Sequence, residues 1–520
     1  MTTARQVADA LLRDLAPLDP LAAEASGTRP ESLMPRLAPF DFAARHDATV
    51  RALRAVEPSP DPIAVVLRER LSSEIALYEA GFTTSLLAPL ATPVHAVREV
   101  FDTLPAGDWD AIGAHLRGVP GALRDYAQTL RTAPRVVAAR QVLGAAAQCE
   151  KWVDPHLDFY ANLVSGRPDL TVDAAAASQA THDFATFLRT ELLPRAPQDD
   201  AVGRELYTVT SRAFLGADVD LDETYDFGWR EITALTAEMT DVAHALGADT
   251  VEEAAARLDA DPARRLGSPG HLVTWLQERV ADVVRHVDGR YADLPPQARA
   301  PECRLAPTAQ GVMYYQPPDA AFTRPGRIWW APPADGATST WREVTTVHHE
   351  GVPGHHLQIA VAMAEPSLHP WQRTMAHVHG HAEGWAHYAE RLADEIGLLR
   401  DPGERLGMLY GQRWRAARIV IDMGLHLGFP IPGTSERWTP ERGAAVLREL
   451  AGCDDTTARF EIDRYLGWPG QALAFRVGAR LWQQLRAGAE SRPGFDLRTF
   501  HMAALRLGPM GLGPLRQLLG

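Results

Sequence analysis

The feature that most limits how this chain folds is a helical spacing of apolar residues, cut at intervals by proline and glycine. In "ASQATHDFATFLRTELLPRA" (177–196), Phe184, Phe187, Leu188 and Leu192 fall on one stripe of a helix. "LDETYDFGWREITALTAEMTDVAHALG" (221–247) opens with acids and stops at a glycine, as a helix does. "SPGHLVTWLQERVADVVRHV" (268–287) opens with a serine cap and a proline in its first turn. Segments of this kind fill the first 290 or so of 520 residues. The texture then changes. From about 294 to 340 the chain is rich in proline, glycine and aromatics, and "GVMYYQ" and "RIWWAP" read as short strands between turns. Helical patterning resumes near 341. The expectation is a mostly α fold with a small β-sheet just ahead of residue 341. It divides into a mainly helical lobe, 1–290, and a lobe carrying the sheet and later helices, 291–520, joined as one continuous unit around a central cleft.

Composition removes several function classes. With 46% hydrophobic and 23% charged residues the chain has globular composition, long enough for one large core or two lobes. Its formal charge is −14 and it has no long basic run, which argues against nucleic acid as a partner. Lys151 is the only lysine, so nearly all positive charge is guanidinium. Three widely spaced cysteines, Cys149, Cys303 and Cys453, fit neither a disulfide framework nor a cysteine zinc site. The first residues, "MTTARQVADALLRDLAP", read as an amphipathic helix bearing acids and lack the apolar stretch of a secretory signal. No apolar run approaches the ~18 residues of a membrane span. The expectation is a cytoplasmic protein with no membrane partner and an oligomeric state left open.

One segment carries chemistry. "TTVHHEGVPGHHLQIA" (345–360) places four histidines around a glutamate and a Pro-Gly pair. In a metallopeptidase helix two histidines one turn apart hold zinc, and the glutamate after the first acts as general base. His349 and Glu350 begin that pattern, but Pro353 stands where the second histidine belongs. On a straight helix, residues seven apart fall within ~20° of each other and residues six apart differ by ~120°. A straight helix would therefore pair His349 with His356, or His348 with His355. Pro353 cannot donate to the carbonyl of His349 and Gly354 adds freedom, so a bulge or restart is expected. A two-residue insertion then brings His355 beside His349. His355 is the favoured second ligand and His356 the alternative, with His348 either supporting a ligand from behind or structural. A polar cluster holding no ion is the bland reading.

A third ligand is sought in "HVHGHAEGWAHYAERLADEIG" (377–397), a second helical pattern. Glu383 is favoured, as in glutamate-type zinc peptidases. His379, His381, His387 and Glu390 compete, and Glu390, seven residues on, shares its face. A Glu383–His387 surface pair is the plain alternative.

The motifs "HHEGVPGHHLQ" and "AEGWAHYAERL" resemble the bacterial family known as domain of unknown function 885. So do "RAARIVIDMGLHLGF" (415–429) and "RYLGWPGQALAFRVG" (464–478), and more weakly "GRELYTVTSRAFLGADVDLDETYDFGWREI" (203–232). That family is mostly helical and is regarded as similar to gluzincin metallopeptidases of the carboxypeptidase Taq and angiotensin-converting-enzyme type. The resemblance implies a large multi-helix metallopeptidase-like fold, with one Zn2+ per chain held by His349, His355 and Glu383 and with Glu350 as base. Phe475 stands where the resemblance implies a tyrosine.

An amide-cleaving zinc site also needs a donor for the oxyanion, and Tyr465 and then His426 are the candidates. Arg418, Arg464 and Arg476 are candidates for gripping a substrate carboxylate. Tyr315, with Tyr314, is a candidate cleft residue from the small sheet. Asp422 is a candidate to orient a histidine. The expected function is zinc-dependent cleavage of amide bonds in short peptides or a peptide-like metabolite. The alternatives are a non-haem iron enzyme built on the same two-histidine, one-carboxylate set, and a helical binding protein that has lost its metal.

Overall fold

Helix ends fall where the sequence punctuation places them. Ser268 caps the helix Pro269–Val287, its side chain accepting from the His271 amide at 3.3 Å, and Asp220 caps the helix Leu221–Ala245 through the Glu223 amide. That second helix stops before Gly247, whose φ of 75° suits a residue without a Cβ. The stretch 177–196 is less regular than its pattern implies. The α-helix Thr171–Phe187 loosens into a π-turn over Leu188–Leu192 and then tightens at Leu193–Arg195. Pro194 has no N–H with which to continue the ladder.

The structure is a computed structural model that describes residues 3–28, 33–104, 107–306, 313–331 and 338–520. It is mostly α-helical, with small sheets of two and three strands. Gly311, Val312 and Pro332, at the ends of the two strand readings, lie outside the described residues. Among those described, no helix is long and apolar enough to cross a membrane, and the three cysteines are free thiols.

Two compact units form. The first comprises Met1–Ala213, Gly424–Pro440 and Arg459–Gly470; the second comprises Phe214–Met423, Glu441–Ala458 and Gln471–Gly520. The division falls at 213/214 and the chain returns twice to the first unit, and the change of texture near 290 falls within the second. That change marks the sheet inside the second unit. In the first unit the long helix Trp109–Thr132 buries Ile112, Leu116, Val119, Leu123, Tyr126 and Leu130 against a core shared with the helix Thr171–Phe187. Tyr126 stacks on Phe184 at 6.1 Å there.

In the second unit the strands Glu302–Leu305 and Tyr314–Gln316 flank the central strand Arg327–Trp330, the first parallel to it and the second antiparallel. Gln277 fastens the sheet to the helix Pro269–Val287, donating to the Pro301 carbonyl and accepting from the Cys303 amide. Trp330 Nε1 donates to Glu343 at 2.8 Å, tying the central strand to the helix Thr340–Thr346 that leads into the histidine segment. Two further helices, His379–Glu395 and Ala474–Glu490, cross at glycines. A Cβ on Gly384 would lie 2.6 Å from the Gly478 backbone, so small residues set the spacing of that pair.

Candidate metal centre

The helix Thr340–Thr346 does not run straight through the histidines. It widens into a π-turn over Val347–Gly351, passes a cis Val352–Pro353 peptide, and restarts as the helix His355–Ala364. Gly354 is obligatory at the restart, because a Cβ there would strike the carbonyls of His348 and His349. Trp385, on the helix His379–Glu395, donates its indole N–H to the Pro353 and Gly354 carbonyls at 2.9 and 3.2 Å. The detour is thus pinned from the neighbouring helix, a role sequence patterning did not assign to Trp385.

The result brings His349, His355 and Glu383 together, with one donor atom of each within 4.8 Å of the others. Glu383 Oε2 lies 3.2 Å from His349 Nε2 and 3.4 Å from His355 Nε2. A tetrahedral zinc ion with bonds of about 2.0–2.1 Å sets its ligand atoms about 3.4 Å apart. Two imidazoles and a carboxylate fit such an ion in chemistry, and the two spacings from Glu383 to the histidines match its size. The side chains are mostly buried, with Glu383 20% and His355 12% exposed, so the cluster keeps an open side.

Glu350 is buried at 8% exposure. Burial raises its pKa, against the pull of His355, His349 and Arg415. A base poised above the ordinary carboxylate range is suited to proton transfer near neutral pH. Burial opposes ionisation of Glu383 and Glu390 too, but the histidines around them outweigh it and hold both well below the usual range. Burial likewise disfavours the His349 cation, yet Glu383 and Glu390 outweigh it and push the ring up to about 10.

The other histidines do different work. His356 points away from the cluster. Its Nε2 donates to the Ala298 carbonyl at 2.6 Å and its Nδ1 accepts from the Tyr315 hydroxyl at 2.9 Å. Burial pulls its pKa down to about 4, so both nitrogens of a neutral ring are committed, and the alternative ligand is corrected to a structural residue. Tyr315 is accordingly a partner of His356 in the described structure, while Tyr314 on the same edge strand is 40% exposed. His348 donates to the Val352 carbonyl and is pushed down to about 4 by burial. Among the competitors for the third ligand, His379 stacks edge-on with Phe214, His381 accepts from the Gln358 amide, and His387 accepts from the Gln412 amide. Glu390 accepts from His349 Nδ1 at 2.7 Å and so holds the orienting place considered for Asp422.

Arg476 does not reach outward for a substrate. It pairs with Glu231 and donates to Gln412 Oε1 at 2.9 Å, because it is buried behind the cluster. Arg418 and Arg415 lie over the Phe475 ring, 4.6 and 5.7 Å from its centroid. Phe475 in turn stacks on His349 at 6.1 Å. The position where a tyrosine was implied therefore meets the first ligand with a ring and no hydroxyl. Tyr465, His426 and Arg464 belong to the first unit. There Tyr465 donates to Glu461 at 2.8 Å, Arg464 donates to Glu461 at 3.3 Å, and His426 bonds the Tyr465 carbonyl and the Val202 amide. Both nitrogens of His426 are spent on backbone, which leaves no N–H for an oxyanion.

A mostly helical protein with a buried two-histidine, one-glutamate cluster is the class these features define. The chain belongs to the family described as "Bacterial protein of unknown function (DUF885)", whose profile matches residues 20–519. Two solved structures share the fold. A candidate lipoprotein of Colwellia psychrerythraea is 20% identical with a TM-score of 0.84, over 100% of this chain and 99% of its own. A candidate lipoprotein of unknown function from Shewanella oneidensis is 16% identical with a TM-score of 0.75, over 100% of both chains. No curated protein matches this chain.

Proposed function

We propose that the chain is a zinc-dependent hydrolase that cleaves amide bonds in short peptides or a peptide-like metabolite. The observation that carries this reading is the convergence of His349, His355 and Glu383, with Glu350 beside them. The likeness to gluzincin-type peptidases is part of the proposal and rests on that donor set. A zinc ion in such a set supplies Lewis acidity that lowers the pKa of a water toward ~7 and polarises a carbonyl. The residues do the rest. Glu350 takes a proton from the attacking water, aided by a raised pKa, and returns it to the departing amine. With a cation bound in place of the Nε2 proton, His349 would be neutral and Glu390 would keep its remaining proton on Nδ1, leaving Nε2 as the donor. Phe475, stacked on His349, keeps water from that face of the ring.

Glu350→Gln preserves shape and removes the base. The experiment is a screen over short peptides with free and blocked ends, using zinc-loaded wild type and Glu350→Gln. The reading expects hydrolysis by the wild type and a loss of about 10²–10⁴-fold in the variant, with zinc content unchanged. A variant as active as the wild type removes Glu350 as the base. The same donors suit iron, so elemental analysis of protein purified without added metal separates zinc from iron. We also propose a cytoplasmic location from the three free thiols. The two structural relatives are described as candidate lipoproteins, and cell fractionation decides the point for this chain.

A further inference from the structure

One helix, His379–Glu395, grips both nitrogens of the His349 imidazole. Glu383 Oε2 lies 3.2 Å from Nε2 and Glu390 Oε1 lies 2.7 Å from Nδ1. Seven residues separate the two glutamates, so a helix of ordinary pitch presents them on one face about two turns apart. The ring between them cannot rotate without losing one carboxylate. Glu390 is itself held. Its side chain is 1% exposed, and its second oxygen accepts from Gln412 Nε2 at 2.7 Å. Gln412 Oε1 accepts from Arg476, and Arg476 ends on Glu231. Four side chains from four helices thus form an unbroken line behind one imidazole. A fully buried carboxylate is costly to keep unless it is paired and hydrogen-bonded, and Glu390 is paired with His349 and His387.

We infer that Glu390 is a positioning residue, set by the Gln412–Arg476–Glu231 line, that fixes the rotation and tautomer of His349 so that Nε2 is the metal donor. This rests on the metal-centre reading above and adds to it which residue sets ligand strength. In zinc sites an acceptor of this kind is worth 10–100-fold in metal affinity. Arg476 is then a part of the site from behind, and its replacement acts through Gln412 and Glu390.

The test uses full-length protein stripped with a chelator and titrated with zinc alone by competition with a coloured chelator, in wild type and Glu390→Gln. The variant keeps the volume and an acceptor oxygen but loses the charge. The inference expects wild-type binding at one site per chain, weakened about 10–100-fold in Glu390→Gln, with a changed visible spectrum when cobalt replaces zinc. Wild-type binding with an unchanged affinity and spectrum in the variant overturns the inference and leaves the metal centre standing. Absence of zinc binding by the wild type overturns both. Because Glu390→Gln sits in the core and can misfold, the wild type carries a second measurement. In zinc-loaded protein labelled with 15N-histidine, His349 is expected to show a proton on Nδ1 and none on Nε2. A proton on Nε2 overturns the inference without any variant.

Discussion

At the scale of single residues, His355 and His356 show how neighbours in sequence part company. Spacing alone left both open as the second ligand. The choice is made by partners distant in sequence: Ala298 and Tyr315 occupy both nitrogens of His356, and Gly326 leaves room for that contact, since a Cβ there would press on the Tyr315 hydroxyl and on His356. Replacing His355 by Ala should therefore abolish zinc uptake. Replacing His356 by Ala should retain a bound ion while lowering unfolding stability by about 2–5 kcal/mol, through a cavity and two orphaned partners. Zinc content and a denaturant titration on the two variants check this; zinc lost only in His356→Ala would reverse the assignment. His349, Glu350 and Glu383 were legible because a His-Glu pair and a glutamate on a following helix are local patterns. Residue type points to Tyr465 and His426 but carries no information on burial. Glu461, Val202 and a backbone carbonyl claim them in the first unit.

At the scale of elements, the break around Pro353–Gly354 was foreseeable, since proline removes a ladder bond and glycine permits a detour. Its shape was not, because that is imposed by Trp385 from the helix His379–Glu395. Trp385→Phe keeps an aromatic side chain, removes both donations to the detour and leaves the indole's extra volume unfilled. It should lower stability by about 1–3 kcal/mol and weaken zinc binding, read by calorimetric titration. Unchanged affinity would mean the detour holds itself. The helix pair carrying Glu383 and Arg476 makes a second demand on its neighbours. Gly384 and Gly478 touch backbone to backbone, so Gly478→Ala forces the helices apart. A cost of about 1–3 kcal/mol is expected, seen as a lower melting temperature. The small sheet was legible from its aromatic and proline-rich texture. The parallel pairing of Glu302–Leu305 with Arg327–Trp330 was not, because register is decided between strands and not within them.

At the scale of the whole molecule, helical class followed directly from apolar spacing, whereas the division into units did not. Gly424–Pro440 and Arg459–Gly470 rejoin the first unit late in the chain, and such returns leave no compositional trace. A pH dependence follows from histidines buried in both units. Burial pulls His95, His426 and His501 down to about 4, against the ordinary value near 6.5. The fold holds these rings neutral, and an unfolded chain takes up their protons first as pH falls. Their contribution is thus fully present above pH ~6.5 and is lost on acidification toward ~4, on the order of 3 kcal/mol for each ring. Metal-free protein should show a melting temperature that falls steadily from pH 7 to pH 4. A flat profile over that range would contradict the burial of these rings.

Anomalous X-ray scattering at the zinc edge, from crystals of zinc-loaded protein, tests the central claim most directly. The account predicts one peak per chain, about 2.0–2.2 Å from His349 Nε2, His355 Nε2 and a Glu383 carboxylate oxygen. Zinc-loaded crystals with no peak among those three side chains, or with the ion seated on His356, would contradict it.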